Sequence, residues 1–393
     1  MAIRRVLVVP YSDSLGHVSR SIAFVTRVLE AGLHVEVAGG GRWDHLFPIT
    51  PFAAPMVPYP DLKTWLRHYL PSLPFSDGTC RSTRAPSISF SNAELDLEVL
   101  TSGWTVLLDR FSPDYVVVDG RPEVFWAAGA LRIPLAGIFS YAWTEAFSAR
   151  FVRGMKDGGH HPAASLTAFN AVGQRRGLPP VVDPWMPFAG VARLLPDTLE
   201  FVGPQIPKDC MVLGPLLFDP GTRVPTWSGT GPIVYVTSGT SSFPRLEQAA
   251  EYLRDRGVSI VFSGGLREEG TVPVSTSAVL GAASLVLCHG GSQTLYHAAR
   301  AGIFSFVMPE NFDHHRNGLL FEAHGFAEVL PAEMTARAAA DYVCLHLKRT
   351  TGARLAPLRD DGGFDVGKLL TFLERRSATD DGEAGTRREP SVR

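Results

Sequence analysis

Residues 285–317 read LVLCHGGSQTLYHAARAGIFSFVMPENFDHHRN, and this stretch decides the fold class. An apolar run, Ser284–Cys288, predicts a strand that leads into the glycine turn His289-Gly290-Gly291. The next residues, Ser292, Gln293 and Thr294, are typical of the start of a helix. A second apolar strand and a polar loop with Asp313 and His314 follow. The order strand, turn, helix, strand indicates α/β architecture with a parallel sheet.

The turn at His289 also predicts an anion site. A helix that begins after glycines offers unpaired backbone N–H groups and a partial positive charge, which suit a phosphate. His289 adds an imidazole, and Asp313 and His314 could reach a hydroxyl-rich group. Diphosphate followed by hydroxyls is the outline of a nucleotide sugar. Without the histidine, the same glycines would be explained equally well as a structural turn with a capped helix.

A second polar turn, Thr237-Ser238-Gly239-Thr240-Ser241, follows the predicted strand Ile233–Val236 and precedes a helix. Ligands of open α/β sheets bind at this end of the strands, so Gly239, Thr240 and Ser241 are candidates for a ligand site. Neither turn has the GxxxxGK[ST] spacing of a phosphate loop. No GxGxxG follows the first strand, which disfavours a dinucleotide enzyme.

The chain divides into two halves with the same rhythm of strands and helices. We predict an N-terminal domain over residues 1–216, a linker rich in proline and glycine over 217–231, and a C-terminal domain over 232–376. The polar stretch 377–393 is expected to be a disordered tail. Residues 48–91, rich in proline and serine, are expected to form a lid or substrate-facing segment.

Composition narrows the function classes. The chain has 393 residues, 45% of them hydrophobic and 19% charged, with a formal net charge of -2. This balance disfavours a nucleic-acid partner. Four scattered cysteines without a CxxC pair, and a short N-terminal apolar run unlike a signal peptide, favour a cytoplasmic location. No apolar span is long enough for a transmembrane helix, although peripheral membrane contact stays open.

These motifs resemble the inverting glycosyltransferases of the GT-B fold, in particular family 1. That family includes UDP-glucuronosyltransferases and bacterial natural-product glycosyltransferases such as those that modify macrolides. The H-G-G-x-x-T turn and Asp313, which follows His289 by twenty-four residues, match the family's register. The likeness covers most of the chain and is weakest over 42–104. It implies two Rossmann-like domains that face each other across a cleft. The N-terminal domain, 1–216, would bind the acceptor, and the C-terminal domain, 232–376, would bind the nucleotide sugar.

The resemblance also implies the reaction. A sugar would pass from a nucleoside diphosphate (UDP or dTDP) to a hydroxyl or similar nucleophile of a small natural-product acceptor. His17, after Gly16 at the start of the first helix, would take the acceptor's proton, because a free imidazole titrates near neutral pH. Asp119, at the end of the strand Tyr115–Val118, would orient His17.

The resemblance further implies the binding residues. Gly16, Trp65 and Tyr141 are the candidates for acceptor contacts. The diphosphate and sugar of the donor are assigned to a larger group, which comprises Gly239, Thr240, Ser241, His289, Gly291, Ser292, Gln293, Thr294, Asp313 and His314. Val274 and Ser275 are assigned to the nucleotide base, and His297 to the ribose.

Three positions depart from the family's pattern. His297 stands where the family has an acidic residue for the ribose, and His314 where it has glutamine. Phe304 replaces a usual proline, and a tryptophan that stacks on the base is absent. We expect no cofactor and no essential metal, because no DxD pair follows a strand and no second set of metal ligands has convincing spacing.

Two other functions stay open. Nucleotide-sugar 2-epimerases share the GT-B fold, and a non-catalytic GT-B homologue could act as a binding or auxiliary protein. The sequence leaves the acceptor, the sugar, the nucleotide base and the oligomeric state undetermined.

Overall fold

The structure is a computed structural model of the chain. It describes residues 3–11, 14–41, 43–53, 90–121, 123–144, 146–147, 170–171, 173–175, 177, 191–204, 206–219, 221–226, 231–239, 243–264, 274–310, 312–350, 354–359 and 364–384.

The first half of the chain forms a seven-stranded sheet in the order β3-β2-β1-β4-β5-β6-β7. All of its neighbouring strands are parallel. Its strands are β1 Arg5–Pro10, β2 His34–Gly39, β3 Phe52–Ala53, β4 Tyr115–Asp119, β5 Leu135–Ile138, β6 Ala192–Leu195 and β7 Cys210–Val212.

The second half forms a separate five-stranded parallel sheet in the order β12-β11-β10-β8-β9. Its strands are β8 Ile233–Thr237, β9 Ser259–Ser263, β10 Leu285–Cys288, β11 Ser305–Val307 and β12 Ala327–Val329. The central strands of both sheets are buried and mostly apolar, as expected for parallel strands that are covered on both faces. The prediction of α/β architecture with two Rossmann-like units is confirmed.

Ten α-helices are found in the described residues. They are α1 Leu15–Glu30, α2 Phe90–Phe111, α3 Glu123–Ala130, α4 Leu199–Val202, α5 Pro244–Asp255, α6 Thr276–Ala282, α7 Ser292–Arg300, α8 Phe312–Ala323, α9 Ala336–Thr350 and α10 Val366–Ala384.

Helix α1 shows why these segments fold as they do. Val18, Ile22, Val25 and Val28 recur at helical spacing and are all buried against the first sheet. Full burial of each such side chain contributes about 1.5–3 kcal/mol to folding. The helix therefore has its first turn, with Gly16 and His17, fixed at the carboxyl edge of the sheet.

One apolar core is shared between the two halves. Tyr141, Phe147 and Phe201 from the first half belong to the same buried cluster as Tyr296 and Phe321 from the second. Phe201 stacks on Tyr296 with ring centroids 5.6 Å apart. The two sheets are therefore packed together through a continuous interior on this side.

The end of the chain differs from the prediction. Leu369 and Leu373 of α10 are buried in a core cluster of the first sheet, and Phe364 stacks on Phe24 of α1 with centroids 5.2 Å apart. Residues 364–376, which we had assigned to the second domain, therefore complete the first. Helix α10 also continues to Ala384, into the stretch that we expected to be disordered. Apolar residues at helical spacing drive this return, and polar residues then extend the helix.

None of the helices in the described ranges is both long and apolar enough to cross a membrane.

Candidate active site

His17 and Asp119 meet at the carboxyl edge of the first sheet. Strands β1 and β4 are paired so that Pro10 lies beside Asp119, and α1 begins shortly after β1. Nδ1 of His17 lies 2.5 Å from Oδ1 of Asp119. A carboxylate can only accept, so Nδ1 carries the proton and Nε2 keeps its lone pair. The side chain of His17 is 33% exposed, whereas that of Asp119 is 1% exposed.

Arg20 is a third member of this group that the sequence reasoning missed. Its Nη2 donates to Oδ1 of Asp119 at 2.8 Å, and its Nε donates to Oδ2 at 3.1 Å. Burial by itself raises the pKa of Asp119, but the charges of Arg20 and His17 outweigh it and hold that pKa below its ordinary value. The available signal was spacing, because residues three apart on a helix lie on one face.

Gly120 makes room for His17. Its backbone is left-handed, with φ of +78°. A Cβ at this position would lie 3.0 Å from Cε1 of His17 and 3.1 Å from Cβ of Tyr11. Tyr11 in turn meets the imidazole edge to face, with centroids 5.8 Å apart. The imidazole is therefore held between Asp119, Tyr11 and the bare backbone of Gly120.

His289 is packed between two glycine turns of the second sheet. Its Nδ1 lies 3.3 Å from the carbonyl oxygen of Thr237, to which it donates. A Cβ on Gly239 would lie 3.1 Å from Cε1 of His289, and one on Gly291 would lie 2.9 Å from Nε2. The imidazole is 8% exposed. Both glycines therefore lie on the Cε1–Nε2 side of the ring, away from the carbonyl of Thr237.

The amides that open α7 lie beside this imidazole. The N-cap residue is Gly291, and no side chain caps the first turn formed by Ser292, Gln293 and Thr294. Helix α6 shows the contrast, because there the hydroxyl of Ser275 accepts from the backbone N–H of Ala278. An uncapped first turn next to an imidazole is suited to a phosphate.

Asp313 and His314 lie in the first turn of α8, whereas we had predicted a loop. The imidazole of His314 meets that of His289 edge to face, with centroids 4.3 Å apart. The charge of Asp313 also contributes to raising the pKa of Arg20, after the larger effects of burial, which opposes the rise, and of Asp119. The polar residues predicted after β11 therefore approach the His17 group of the other half.

Helix α8 joins the two halves through its next turn. Asn317 donates from Nδ2 to the carbonyl of Gly290 at 3.2 Å, and its Oδ1 accepts from the hydroxyl of Ser140 at 3.5 Å. The guanidinium of Arg316 donates to the carbonyls of Ala142 and Thr144. The His289 turn is thereby fixed relative to the first half.

The sequence of the chain was compared with those of known proteins. No family model matches the chain. A PGL/p-HBAD biosynthesis rhamnosyltransferase of Mycobacterium bovis is 27% identical over 410 residues, which cover 92% of this chain and 86% of that protein. A PGL/p-HBAD biosynthesis glycosyltransferase of Mycobacterium tuberculosis is 27% identical over 261 residues, or 58% of this chain and 61% of that protein.

Solved structures share the whole architecture. Spinosyn rhamnosyltransferase SpnG superposes with a TM-score of 0.61 at 17% identity, covering 95% of each chain. Its complex with thymidine diphosphate gives a TM-score of 0.60 at 16% identity, covering 96% of each chain. The chain is a glycosyltransferase with the GT-B fold. Its resemblance to family 1 and its class of enzyme are as the sequence predicted.

Within this glycosyltransferase, two predicted binding residues have other roles. Tyr141, predicted to contact the acceptor, is only 3% exposed and packs edge to face on Phe147, with centroids 5.9 Å apart. Its backbone N–H donates to Asp197 at 2.5 Å. The side chain of Tyr141 therefore lies in the shared core, and its contact with an acceptor stays a prediction. Gln293 donates from Nε2 to the carbonyl of Leu216 at 2.9 Å, so its side chain ties α7 to the end of the first half.

The residues assigned to the nucleoside are also held by protein groups. His297 faces the backbone of Phe218 and the charge of Asp219, and burial lowers its pKa. Val274 is 4% exposed. The hydroxyl of Ser275, besides capping α6, donates to Asp219 at 2.9 Å. Contact of any of these side chains with a nucleoside stays a prediction.

Gly16 lies in the first turn of α1, where a Cβ would meet only the hydroxyl of Ser14, at 3.9 Å. Trp65, Thr240 and Ser241 lie outside the described residues. In the part of the chain that the structure describes, no three His, Cys, Asp or Glu side chains cluster in a way that could hold a metal ion.

Proposed function

We propose that this glycosyltransferase moves a sugar from a nucleoside diphosphate, UDP or dTDP, to a hydroxyl of a small natural-product acceptor, with inversion at C1. The observation that carries the proposal is the presence of two groups, each at the carboxyl ends of the strands in its own sheet. The His17–Asp119 pair can accept a proton, and the His289–α7 turn can hold an anion. A deoxyhexose donor is favoured, because the relative that covers most of the chain is named a rhamnosyltransferase.

The tautomer of His17 suits it to remove the proton from the acceptor. Asp119 holds the proton on Nδ1, so Nε2 can take the proton of the acceptor hydroxyl. The freed oxygen forms a bond to C1 of the sugar as the bond from C1 to the diphosphate oxygen breaks. Asp119 then stabilises the imidazolium that has formed. Attack from the face opposite the leaving group inverts the configuration.

The leaving group needs its negative charge balanced. The first-turn amides of α7 are fixed dipoles, and Nε2 of His289 can donate to a phosphate oxygen when it is protonated. Such preorganised donors are the usual source of the largest catalytic effect. We therefore propose that the reaction requires no metal ion. Asp313, in the first turn of α8, is the candidate for the sugar hydroxyls.

The acceptor is proposed to lie over the first turn of α1, beside Gly16 and His17. Trp65 stays a candidate for its far side. Contact with a membrane surface through residues 48–91, which lie mostly outside the described ranges, would suit a lipid-like acceptor and is kept as part of the proposal.

The test is a mass-spectrometric screen of UDP- and dTDP-sugars against a panel of acceptors, with and without EDTA. We expect a product whose mass has increased by one sugar, the opposite anomeric configuration to the donor by NMR, and no loss of rate with EDTA. Conversion of the donor alone to an epimer would support the isomerase instead. Tight binding of dTDP or UDP without any turnover over the full panel would support a non-catalytic protein.

A further inference from the structure

Arg20 has an unusual place for a cation. Its side chain is 11% exposed, and its guanidinium contacts both oxygens of Asp119 in the two-pronged geometry that arginine forms with carboxylates. The same Nη2 lies 2.9 Å from Nδ1 of His17. Arg20 thus contacts both members of the pair, and its described contact with the ring of His17 is at Nδ1 and not at Nε2.

We propose that Arg20 is a positioning residue of the transfer reaction, which orients the carboxylate of Asp119 toward His17 and offsets its negative charge. This inference rests on the proposed function, because it assigns Arg20 a part in the same proton transfer.

Contacts with His17 and Arg20 fix the plane of the Asp119 carboxylate. Asp119 is nearly inaccessible to solvent, and its described side-chain partners are His17 and Arg20. Arg20 is the described partner of Oδ2 and shares Oδ1 with His17. Without Arg20, the buried Oδ2 would lose its partner, and the carboxylate would be free to rotate about its last bond.

Arg20 also changes the net charge beside His17. Asp119 alone places a full negative charge against the imidazole. The guanidinium of Arg20 contacts the same carboxylate and offsets much of that charge. The groups that face the pair are Tyr11 from the loop after β1 and, through their effect on Arg20, Asp313 of α8 and Asp197 after β6. Both acids add negative charge near the pair, and both act on the guanidinium of Arg20.

The experiment compares the wild type with Arg20→Gln, Arg20→Lys and the control Arg27→Gln. Arg27 lies on the exposed face of the same helix and pairs only with Glu30 among the described contacts. We expect Arg20→Gln to move the acidic limb of the kcat/KM profile to higher pH by about one unit, and to lower the plateau. Arg20→Lys keeps the positive charge but not the two-pronged contact. Its acidic limb should therefore lie near the wild-type pH, while its plateau value of kcat/KM stays lowered. Arg27→Gln should match the wild type.

A second readout does not require turnover. Diethylpyrocarbonate modifies neutral imidazoles, and its reaction with the part-exposed His17 can be followed against pH by mass spectrometry of the peptide. The midpoint should move up in Arg20→Gln by the same amount as the kinetic limb. A midpoint and limb that both stay in place, with activity lowered equally at every pH, would overturn the proposal in favour of a merely structural arginine. A shifted midpoint in a protein without transferase activity would instead count against the proposed function alone.

Discussion

Nδ2 of Asn317 donates to the carbonyl oxygen of Gly290 at 3.2 Å, and this bond ties helix α8 to the turn that is proposed to hold the diphosphate. Because Oδ1 of the same side chain accepts from Ser140 in the first half, one buried amide sets the distance between the two binding regions. The catalytic account depends on that distance, since the acceptor oxygen and C1 of the sugar must meet.

Replacing Asn317 should therefore weaken both stability and donor use. Asn317→Ala leaves the carbonyl of Gly290 without this partner, which should cost about 1–3 kcal/mol of unfolding free energy. The KM for the donor should rise more than the KM for the acceptor. Urea unfolding and steady-state kinetics measure the two effects. Ala323→Ser, at an exposed position of the same helix, is the control and should change neither.

Alanine substitutions at two glycines with the same backbone geometry can distinguish an effect on the active site from backbone strain alone. Gly120 and Gly32 have φ of +78° and +79°, so alanine at either costs about 1 kcal/mol. A Cβ on Gly120 would press on His17 and Tyr11, whereas one on Gly32 would meet nothing within 4 Å. Gly120→Ala should lower kcat at least about tenfold, whereas Gly32→Ala should lose stability but keep its kcat. Equal kcat in the two variants would mean that the packing around His17 is irrelevant to turnover.

The stability of the protein should depend on the ionisation of Asp197. Burial raises its pKa to about 6, although hydrogen bonds from the hydroxyl of Tyr296 and the backbone of Tyr141 oppose this. The folded state then binds a proton more tightly than the unfolded state, whose pKa is near 3.8. Stability from this group is present below about pH 4 and is lost as the pH rises to about 6, by about 3 kcal/mol in all.

The difference in unfolding free energy between wild type and Asp197→Asn isolates this effect from other titrating groups. Between pH 4 and pH 7, the wild type should lose up to about 3 kcal/mol of unfolding free energy relative to Asp197→Asn. A difference that stays constant over this range would show that Asp197 titrates normally.

Replacing His289 should weaken binding of the donor nucleotide and leave binding of the acceptor unchanged. Loss of a charge-assisted hydrogen bond to phosphate costs about 1.5–3 kcal/mol, so His289→Ala should weaken dTDP or UDP binding by roughly ten- to a hundredfold. Isothermal titration calorimetry measures this directly. His34→Ala, at an exposed position of β2, is the matched control. If both variants bind like the wild type, the diphosphate does not contact His289.

Site residues could be predicted from the sequence where they lie at the ends of neighbouring parallel strands. His17 and Asp119 lie far apart in the chain, yet β1 and β4 are adjacent and parallel, so their ends coincide. The turn at His289 was predicted from its glycines at the end of an apolar strand, and the structure places that strand, β10, beside β8. Periodicity and strand order carry this information without any side-chain geometry.

The other outcomes depended on packing that a linear pattern does not encode. Tyr141 could have faced the acceptor or the core, and only the position of Phe147 and Asp197 decides this. The return of α10 to the first sheet needs a groove that forms when Phe24 and its neighbours are in place. Arg20 stands on the same helical face as His17, but its partner Asp119 comes from a different element.

The most direct test of the central claim is the transfer rate of His17→Gln with a donor and acceptor pair found in the screen. Glutamine keeps a polar side chain of similar reach but cannot take up the acceptor's proton. The account predicts a kcat lowered by about 10²–10⁴-fold, with unchanged affinity for dTDP or UDP by calorimetry. An unchanged kcat in a folded variant would contradict the assignment of His17 as the base.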